Sequence, residues 1–535
     1  MTTAALNTAH AAAPVDTVAD LLSWAAARYG QRTAYIDAGQ AHTYSDMERA
    51  ADALAWGLHE LGLRRGDRIG LIGLNQVEWL QVFFAAARMG VVVVAMTVRY
   101  RDNELQYMAN DSGVKAIFTV AEHEGFDFLD LFRRLAPGTP SIRHLVCIDR
   151  PEAPLPGLPR DVKRLSQLSS MPPGDAMPRG LGAAVQPGDL VMIIYTSGTT
   201  GRPKGAGLTH RSLLASARAQ QLHTRVDTGD LTQLGSPLNH VGGITCGVMT
   251  FMLGGGTIEL VPEFKADIVL DMMLQRPPTL VGGVPTMLTL LLMNARSEHV
   301  DLGRVRLVTI GGSNVESALM EQVQQRMPGA TIMNLYGLSE ASGALVMSPW
   351  GATGQELLET IGKPLPGVEV RVRSLDGGIA DTSEVGELCF RGAGVIDDYV
   401  GQARGNDAFE GGWLHTGDLG YVDAKGFITL KGRRKDMYIQ GGFNVYPAEI
   451  ENVIARHPKV AMVAGIGVPD AMFGEVGRYY IVPRPDSQLT EDELRQYCRE
   501  HIADYKVPRQ IVLRDTLPLT PAGKIHKAAL RGEAV

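Results

Sequence analysis

Cysteine is scarce in this chain of 535 residues, which contains only four cysteines. Cys147, Cys246, Cys389 and Cys498 lie far apart, and the sequence has no Cys-x-x-Cys pair and no Cys/His cluster of zinc-binding spacing. The pattern argues against a disulfide-stabilised scaffold and against a zinc site. It predicts reduced thiols, as in a cytoplasmic protein.

Positive charge is not in excess either, since 51 Lys and Arg oppose 58 Asp and Glu and give a net charge of −7. No basic surface is therefore expected for binding nucleic acid or an anionic membrane. Long hydrophobic runs are missing as well. The most apolar stretch, 82–96, is interrupted by Arg88 and Gly90 and is too short to span a bilayer. Such a chain can bind a phosphorylated ligand only by concentrating positive charge locally.

Short apolar runs alternate with longer helical patterns through roughly the first 430 residues, a rhythm typical of α/β folds. The pattern predicts a strand at 68–74, a helix at 77–88 and a strand at 91–95. The segment 151–188 is rich in proline and glycine, and we expect it to form a surface excursion between subdomains.

The pattern changes toward the end of the chain. Beyond 435 a region of about 100 residues, the size of a small domain, reads as a strand, a helix, two strands and a helix. The two helices are expected at 447–457 and 490–501. We therefore predict a large N-terminal region, 1–434, made of several α/β subdomains, and a small α+β domain, 435–535.

The strongest local signal is the run 195–205, Tyr-Thr-Ser-Gly-Thr-Thr-Gly-Arg-Pro-Lys-Gly, at the end of an apolar strand. Glycine lets backbone N–H groups approach an anion, while hydroxyl and lysine side chains add further donors. Pro203 and the glycine–lysine spacing distinguish the run from a Walker A loop. It predicts a phosphate-binding loop with Thr196, Ser197, Gly198, Thr199, Thr200, Gly201 and Lys204.

Five further segments carry chemically suggestive residues. Asn-Leu-Tyr-Gly-Leu-Ser-Glu at 334–340 offers an aromatic face, a hydroxyl and a carboxylate, which are groups that a Mg·ATP site needs. Thr-Gly-Asp at 416–418 precedes a long glycine-containing run at 432–451. Two more segments are Ser-Pro-Leu-Asn-His-Val-Gly-Gly at 236–243 and Leu-Pro-Leu-Thr-Pro-Ala-Gly-Lys-Ile-His-Lys at 517–527.

In this order, these segments resemble the signatures of the adenylate-forming superfamily, which includes acyl-CoA synthetases, nonribosomal adenylation domains and firefly luciferases. The resemblance covers essentially the whole chain, from about Thr43 to Lys524. It implies that the small C-terminal domain is mobile and that ATP is bound with Mg²⁺. The implied ATP-binding residues are Thr196, Ser197, Gly198, Thr199, Thr200, Gly201, Lys204, Gly312, Ser313, Asn334, Tyr336, Gly337, Ser339, Asp418, Arg433 and Lys524.

The resemblance also assigns catalytic roles. A carboxylate oxygen that attacks the α-phosphorus of ATP builds up negative charge, and Lys524 is the cation implied to neutralise it. Ser339, which replaces the family's usual threonine but keeps its hydroxyl, would contact the α-phosphate. Glu340 and Thr196 would hold Mg²⁺, and His240 would lie at the mouth of the acyl pocket.

Two glycines and one lysine in the run 432–451 are implied to serve a second step. Gly441 and Gly442 would line the tunnel for the pantetheine arm of CoA, where a Cβ would obstruct the thiol; a hairpin turn is the alternative explanation for this pair. Lys435 falls on the family's hinge position.

Tyr336 would stack on adenine, and Asp418 would bind the ribose hydroxyls.

The acyl pocket is implied to include His240, Gly242, Gly243, Cys246 and Gly311. These residues are small or uncharged, and no lysine or arginine lies among them. An apolar acid of fatty, aromatic or alicyclic type is therefore expected rather than a dicarboxylate or an amino acid. Asn239 and the sequence Ser-Asn-Val at 313–315 depart from the family's common residues, so the gate and the adenine-side wall of the pocket are expected to differ.

The sequence thus predicts an AMP-forming acyl-CoA synthetase that uses ATP, Mg²⁺ and coenzyme A on a carboxylic acid, with no nucleic-acid partner and no membrane span. A homodimer is left open. An adenylation-only enzyme that passes acyl-AMP to a carrier protein or partner enzyme is the first alternative, and free CoA should accelerate AMP release only if CoA is the acceptor. A luciferase-type oxygenase or a non-catalytic binding protein on the same fold are the others. Light emission or oxygen uptake would identify the former, and the intact lysine, carboxylate and arginine set argues against the latter.

Overall fold

The computed structural model describes residues 15–149, 161–170, 185–196, 203–312, 315, 317–374, 376–405, 407–470, 472–485, 487–521 and 523–533. These residues form two compact units. The first comprises the described parts of 1–265, 338–344 and 392–409, and the second comprises those of 266–337, 345–391 and 410–535. Each unit contains its own sheets and helices.

The α-helices are numbered here in chain order. They are α1 (Val18–Tyr29), α2 (Tyr44–Glu60), α3 (Val77–Met89), α4 (Asp102–Ser112), α5 (Phe128–Leu135), α6 (Leu165–Ser169), α7 (His210–Thr224), α8 (Val241–Gly243), α9 (Thr250–Gly254), α10 (Ala266–Gln275), α11 (Pro285–Met293), α12 (Ser317–Arg326), α13 (Gly354–Glu359), α14 (Pro447–Ile454), α15 (Glu491–His501) and α16 (Lys527–Gly532).

The strands are numbered in the same way. They are β1 (Thr33–Asp37), β2 (Gln40–Thr43), β3 (Arg68–Ile72), β4 (Val92–Met96), β5 (Ala116–Thr119), β6 (Glu122–His123), β7 (Phe126–Asp127), β8 (His144–Cys147), β9 (Lys163–Arg164), β10 (Leu190–Thr196), β11 (Lys204–Thr209), β12 (Leu231–Leu234), β13 (Thr257–Leu260), β14 (Leu280–Gly283), β15 (Leu307–Gly311), β16 (Thr331–Leu338), β17 (Gly343–Met347), β18 (Lys363–Pro364), β19 (Val368–Arg373), β20 (Gly386–Gly392), β21 (Tyr399–Val400), β22 (Phe409–Glu410), β23 (Trp413–Val422), β24 (Ile428–Arg433), β25 (Tyr438–Gln440), β26 (Phe443–Val445), β27 (Val460–Asp470), β28 (Gly474–Pro483) and β29 (Gln510–Leu513).

The first unit is built around an eight-stranded sheet in the order β21-β11-β10-β4-β3-β5-β8-β9. Its central strands run parallel, and β11 and β21 close one edge in antiparallel pairing. The core strand β4 is buried at all five positions, which is typical of a parallel sheet covered on both faces. A second sheet has the order β12-β13-β1-β2. The predicted strand–helix–strand series at 68–95 is confirmed as β3, α3 and β4.

One prediction about this unit is wrong in part. Within the segment 151–188, the described residues 161–170 do not form a surface excursion, because β9 pairs in parallel with β8 and extends the large sheet. The helix α6 that follows buries Leu165 and Leu168. Leu168 lies so close to α2 that a Cβ on Gly57 would be 2.5 Å from its carbonyl oxygen, so glycine is required for this packing.

The second unit contains three sheets. The first has the order β14-β15-β16-β17-β18, and its strands β14, β15 and β16 run parallel. The second has the order β19-β20-β23-β22, with β24 also paired to β23. The parallel sheet ends at Gly283, Gly311 and Leu338, and ligands of α/β proteins commonly bind at such carboxyl ends.

The third sheet of this unit is formed by β25 to β29 in the last hundred residues. Helices α14 and α15 contribute Ile450, Ile454, Leu494 and Cys498 to one buried cluster, whereas Leu530 of α16 belongs to a second cluster with Ala464 and Ile466. The sheet thus has two buried faces. The predicted order of strands and helices beyond 435 is correct only in part, because two strands rather than one precede α14, and β29 and α16 follow α15. The mixed α/β architecture is confirmed.

None of the helices that the structure describes combines the length and the apolar composition required to cross a membrane. All four cysteines belong to the described residues, and all four are unpaired.

Candidate functional site

The predicted phosphate-binding loop connects β10 to β11 in the first unit. Thr196 is the last residue of β10 and Lys204 the first of β11, and the two are paired across the ladder. The loop itself, with Ser197, Gly198, Thr199, Thr200 and Gly201, lies outside the described residues. At its base, Tyr195 donates a hydrogen bond of 2.7 Å to Asp111 Oδ2, and Tyr107 donates one of 3.1 Å to the Pro203 carbonyl. Both ends of the loop are therefore fixed to α4.

The two predicted metal ligands lie together in the first unit. Thr196 Oγ1 is 3.3 Å from Glu340 Oε1. Adjacent oxygen ligands of octahedral Mg²⁺ lie about 3.0 Å apart, because each Mg–O bond is about 2.1 Å long and adjacent bonds meet at a right angle. A hydroxyl and a carboxylate at this separation fit Mg²⁺ with a small inward adjustment. Ser339, just before Glu340, is buried at the start of a short 3₁₀ turn.

Tyr399 completes this group, and the sequence analysis missed it. Its hydroxyl donates a hydrogen bond of 2.8 Å to Glu340 Oε1, and its ring lies under the Lys204 ammonium with Nζ 5.3 Å from the ring centroid. Burial, together with the charge of Glu340, raises the pKa of Tyr399, so the phenol remains a donor. Tyr399 belongs to no motif, and only its approach to Glu340, 59 positions away, reveals its role.

The predicted nucleoside-binding residues meet in the second unit. The Tyr336 hydroxyl donates a hydrogen bond of 2.7 Å to Asp418 Oδ2, and Arg433 Nε lies 3.1 Å from Asp418 Oδ1. The Asp418 side chain is only 4% exposed, whereas that of Arg433 is 51% exposed. Burial and the adjacent Asp418 carboxylate raise the pKa of Tyr336 well above its usual value, so this phenol also stays protonated. Gly337 follows Tyr336 in β16.

The turn that carries Asp418 is fixed by a buried group that the sequence analysis did not identify. Gly417 N–H donates to Glu387 Oε1 at 3.0 Å, and the other oxygen of Glu387 lies 3.4 Å from His415 Nδ1. The same ring nitrogen is 3.4 Å from Cys389 Sγ. Burial raises the pKa of the Cys389 thiol to about 11, so it is neutral at pH 7. The group thus holds the turn through Glu387, which lies 30 residues from Gly417.

Asn334 lies on the same strand as Tyr336 and is buried. Its side-chain amide donates to the Leu357 and Thr360 carbonyl oxygens at 2.7 and 2.9 Å. Its Oδ1 atom is buried without a hydrogen-bond partner among the described residues. A buried carbonyl oxygen that lacks a partner fits an amino group of a ligand such as adenine.

Lys524 lies in a tight loop of the second unit. Thr520 N–H donates to the Lys524 carbonyl at 2.7 Å, and Lys524 N–H donates to Thr520 Oγ1 at 3.1 Å. Thr286 Oγ1 donates to the Gly523 carbonyl and thereby fixes the loop to the start of α11. The lysine side chain crosses Gly312, where an added Cβ would be 2.9 Å from Cε and 3.4 Å from Nζ.

Gly312 follows β15 directly and has φ +87°, a conformation that favours glycine. The ladder pairs Gly311 with Leu335, so the residues that follow each of them, Gly312 and Tyr336, lie at the same edge of the sheet. Lys524 therefore reaches the edge that carries Tyr336. Gly311 itself is tightly packed, since a Cβ there would be 2.3 Å from the Leu335 carbonyl oxygen. Ser313 lies outside the described residues.

His240 caps the short helix α8 in the first unit, where its Nδ1 accepts the Gly242 N–H at 3.1 Å. Because Nδ1 is the acceptor, the neutral ring carries its proton on Nε2. The loop that leads to His240 is held by the buried Asn75, whose amide donates to the Leu234 and Ser236 carbonyls and accepts the Leu238 N–H at 2.9 Å.

The glycines next to His240 differ in their surroundings. A Cβ on Gly243 would lie 2.2 Å from the Pro237 carbonyl oxygen, so a side chain there would displace the backbone rather than extend toward a substrate. At Gly242 the nearest atom would be His240 Nδ1, at 3.3 Å. Cys246 follows in the π-helical segment Ile244–Met249 and is half-buried. Insertions of this type are frequent at functional sites.

Gly441 and Gly442 form the two-residue turn of the hairpin between β25 and β26. Their φ angles are +57° and +86°, as expected for a type I′ turn, and this conformation is itself a sufficient reason for both glycines. Gly441 N–H also donates to the Phe473 carbonyl at 3.0 Å. Lys435 lies in the turn between β24 and β25, directly after Arg434, whose N–H donates to the Gly417 carbonyl at 2.9 Å.

Comparisons with known proteins identify the family to which the chain belongs. The family model described as AMP-binding enzyme matches residues 22–400, and the model described as AMP-binding enzyme C-terminal domain matches residues 449–524. A long-chain-fatty-acid–CoA ligase of Escherichia coli O157:H7 is 31% identical, over 96% of this chain and 94% of that protein. A feruloyl-CoA synthase of an Amycolatopsis species is 33% identical, over 93% and 95%.

Among solved structures, an anthranilate CoA ligase in complex with anthranoyl-AMP superposes with a TM-score of 0.86. It is 25% identical to this chain, and the superposition covers 97% of each chain. The similarity extends over both units, so the predicted fold class is confirmed.

We predict that Asp418→Ala abolishes recognition of the ribose hydroxyls. Hydrogen bonds to a buried carboxylate change affinity by about 10- to 100-fold, so the unmodified protein should bind AMP that much more tightly than 2′,3′-dideoxy-AMP. The variant should bind both nucleotides equally, as measured by isothermal titration calorimetry. Asp376→Ala, which removes an exposed turn carboxylate bonded to Gly378 N–H, is the matched control and should still discriminate. Discrimination retained by the Asp418 variant would contradict the assignment.

Proposed function

The chain belongs to the AMP-binding enzyme family, and from this membership we propose that it is an AMP-forming acyl-CoA synthetase. It activates a hydrophobic carboxylic acid with ATP and transfers the acyl group to CoA. The observation that carries the proposal is the position of Lys524, whose side chain crosses Gly312 at the sheet edge that bears Tyr336. Negative charge develops on the α-phosphate during the attack, and a mobile cation at the sheet edge that bears the nucleoside-binding tyrosine can neutralise it.

In the first half-reaction a carboxylate oxygen of the acid attacks the α-phosphorus of ATP. The new O–P bond forms as the bond to pyrophosphate breaks, and acyl-AMP remains. Lys524 neutralises the charge that develops on the α-phosphate oxygens, and Ser339 donates a hydrogen bond to them. Asp418 and Arg433 hold the ribose, while Tyr336 packs against adenine. His240, at the proposed mouth of the acyl pocket, orients the acid.

Thr196 and Glu340 are the residues that would hold Mg²⁺, which when bound neutralises charge on the phosphates. Tyr399 orients Glu340 by donating to one of its oxygens. Lys204 adds positive charge beside the same group. A protein with a net charge of −7 thereby concentrates its cations where the triphosphate binds.

In the second half-reaction the CoA sulfur attacks the carbonyl carbon of acyl-AMP. The C–S bond forms, the thiol proton is lost and AMP leaves. Gly441 and Gly442 would line the tunnel for CoA, whereas Lys524 acts in the first half-reaction. They lie more than eighty residues apart in the sequence, and all three belong to the proposed domain 435–535. We propose that this domain rotates against 1–434 about Lys435 between the steps, so that Lys524 acts in adenylation and the Gly441–Gly442 turn in thioester formation.

The acid is proposed to be uncharged beyond its carboxylate. Relatives named for long-chain fatty acids and for ferulate support an apolar body of this kind. The four unpaired cysteines support a reducing, cytoplasmic location.

We predict that Lys524→Ala lowers pyrophosphate release by about 10²- to 10³-fold, the usual effect of removing one group that stabilises developing charge. Thioester formation from supplied acyl-AMP and CoA should fall far less, because thiol attack does not need this cation. In the unmodified enzyme, CoA should accelerate AMP release. Lys425→Ala, at an exposed turn, is the control and should change neither step. Equal loss of both steps in the Lys524 variant would refute its role, and AMP release indifferent to CoA would refute CoA as the acceptor.

A second prediction concerns rotation. Proline fixes φ near −65°, so Lys435→Pro should hold the domain in one orientation, which we expect to be the adenylating one. Pyrophosphate release should continue while formation of the CoA thioester stops. Both half-reactions are measured on one preparation, with Lys435→Ala as the control that removes the side chain but leaves φ free. A proline variant that forms thioester at the normal rate would show that rotation does not depend on this residue.

A further inference from the structure

Thr286 contacts the loop that carries Lys524, although it belongs to the proposed large region and takes no direct part in either half-reaction. It is the second residue of α11, directly after Pro285. Its side chain is buried, and its hydroxyl donates a hydrogen bond to the carbonyl of Gly523, the residue just before Lys524. Donor and acceptor are 237 positions apart. The bond therefore connects the large region to the backbone next to the proposed catalytic lysine.

The loop at 519–525 is closed on itself. Leu519 and Ile525 pair in an isolated antiparallel bridge. Between them, the Thr520 N–H donates to the Lys524 carbonyl at 2.7 Å, and the Lys524 N–H donates to Thr520 Oγ1 at 3.1 Å. The Gly523 N–H donates to the Thr520 carbonyl at 2.9 Å. A loop closed by its own hydrogen bonds moves as one piece, so a contact that fixes Gly523 also fixes the backbone of Lys524.

Thr286 is itself fixed to the sheet edge over which the lysine lies. Gly283, the last residue of β14, pairs with Ile310 of the parallel strand β15. Thr286 follows Gly283 by three residues, and Gly312 follows Ile310 by two. Both segments therefore leave the carboxyl ends of adjacent parallel strands. The donor and the glycine that lies beneath the Lys524 side chain are thus held by the same pair of strands.

Gly523 also packs against the start of α11. Its φ of +76° favours glycine, and a Cβ there would lie 3.2 Å from Met287 Cε and 3.3 Å from Val284 Cγ2. Val284 approaches Gly312 as well, where an added Cβ would lie 3.1 Å from Val284 Cγ1. One valine therefore lies against both glycines. These apolar contacts limit how closely the loop can approach, and the α11 hydroxyl supplies the directional contact.

A hydrogen bond between two uncharged groups suits a contact that must form and break in every turnover. Its net contribution is modest, because water replaces each partner when the bond opens. Its direction is nevertheless specific, since a hydroxyl donates well only over a narrow range of angles. Such a bond can favour the orientation in which Lys524 lies over Gly312 without preventing its departure.

We propose that Thr286 is a positioning residue for acyl-AMP formation. Its hydroxyl holds the Gly523 carbonyl and thereby places the Lys524 ammonium at the sheet edge where the α-phosphate is attacked. The bond is lost when domain 435–535 rotates, so Thr286 does not contribute to thioester formation. The inference rests on the proposed function, because it assigns Thr286 to the first of the two half-reactions of that enzyme.

The test measures both half-reactions in Thr286→Val, which keeps the branched shape and removes the donor. Dodecanoate, ferulate and cyclohexylpropanoate are supplied as acids, and single-turnover pyrophosphate release reports adenylation. We expect its rate to fall by about five- to tenfold, the usual consequence of losing one hydrogen bond between uncharged groups. Thioester formation from supplied acyl-AMP and CoA should be unchanged. Thr286→Ser, which keeps a hydroxyl, should restore adenylation.

Thr289→Val is the matched control. It carries the same substitution about one helical turn later on α11, at a half-buried position, and should change neither half-reaction. In the Lys524→Ala background, Thr286→Val should cost nothing further, because the group that it positions is absent. A merely structural role of Thr286 predicts equal losses in both half-reactions and full additivity with Lys524→Ala. Either result would overturn the inference, and so would unchanged pyrophosphate release in Thr286→Val.

Failure of the proposed function gives different results in the same assays. An unmodified enzyme that releases pyrophosphate with none of the acids would refute the proposed function, and the inference with it. Normal adenylation by Lys524→Ala would show that this lysine is not catalytic, which leaves Thr286 with no group to position. An effect of Thr286→Val on adenylation alone, absent in Lys524→Ala, is the result that supports the inference.

Discussion

The contact between Lys524 and Gly312 is the constraint on which the proposed chemistry depends. The lysine comes from a loop near the end of the chain, and it crosses the end of β15 over Gly312, where a Cβ would lie 2.9 Å from the lysine Cε. The loop is held in turn by the Thr286–Gly523 hydrogen bond. If domain 435–535 rotates as proposed, each of these contacts must be broken between the two steps, and their small number favours such a motion.

Both carboxylates proposed to act on ATP are oriented in the same way. Tyr399 donates to Glu340 in the first unit, and Tyr336 donates to Asp418 in the second. In each pair, burial and the neighbouring carboxylate raise the pKa of the tyrosine, so the phenol stays protonated and donates to the carboxylate. The oriented oxygens are preorganised for the metal or ribose, which reduces the reorganisation that binding requires.

The sequence predicted what lies within continuous runs of residues. Thr196, Lys204, Asp418 and Lys524 each belong to such a run. The β10–β11 ladder pairs Thr196 with Lys204, and the β23–β24 ladder pairs Asp418 with Arg433. Contacts between distant segments were not predictable: Tyr399 meets Glu340 across 59 positions, and α6 packs on Gly57 across more than a hundred. Likewise, no pattern in the sequence shows that the Pro237 carbonyl oxygen leaves no room for a side chain at Gly243.

The most direct test of the account is a double-mutant cycle of Gly312→Ala and Lys524→Ala, measured by pyrophosphate release. An alanine at 312 would place a Cβ 2.9 Å from the lysine Cε and displace its ammonium, so it should slow adenylation strongly in the natural enzyme. In the Lys524→Ala background the same substitution should cost little more, because the displaced group is already gone. Fully additive losses would show that Gly312 acts through backbone strain or nucleotide contact. They would contradict the claim that Gly312 supports adenylation by leaving space for the Lys524 side chain.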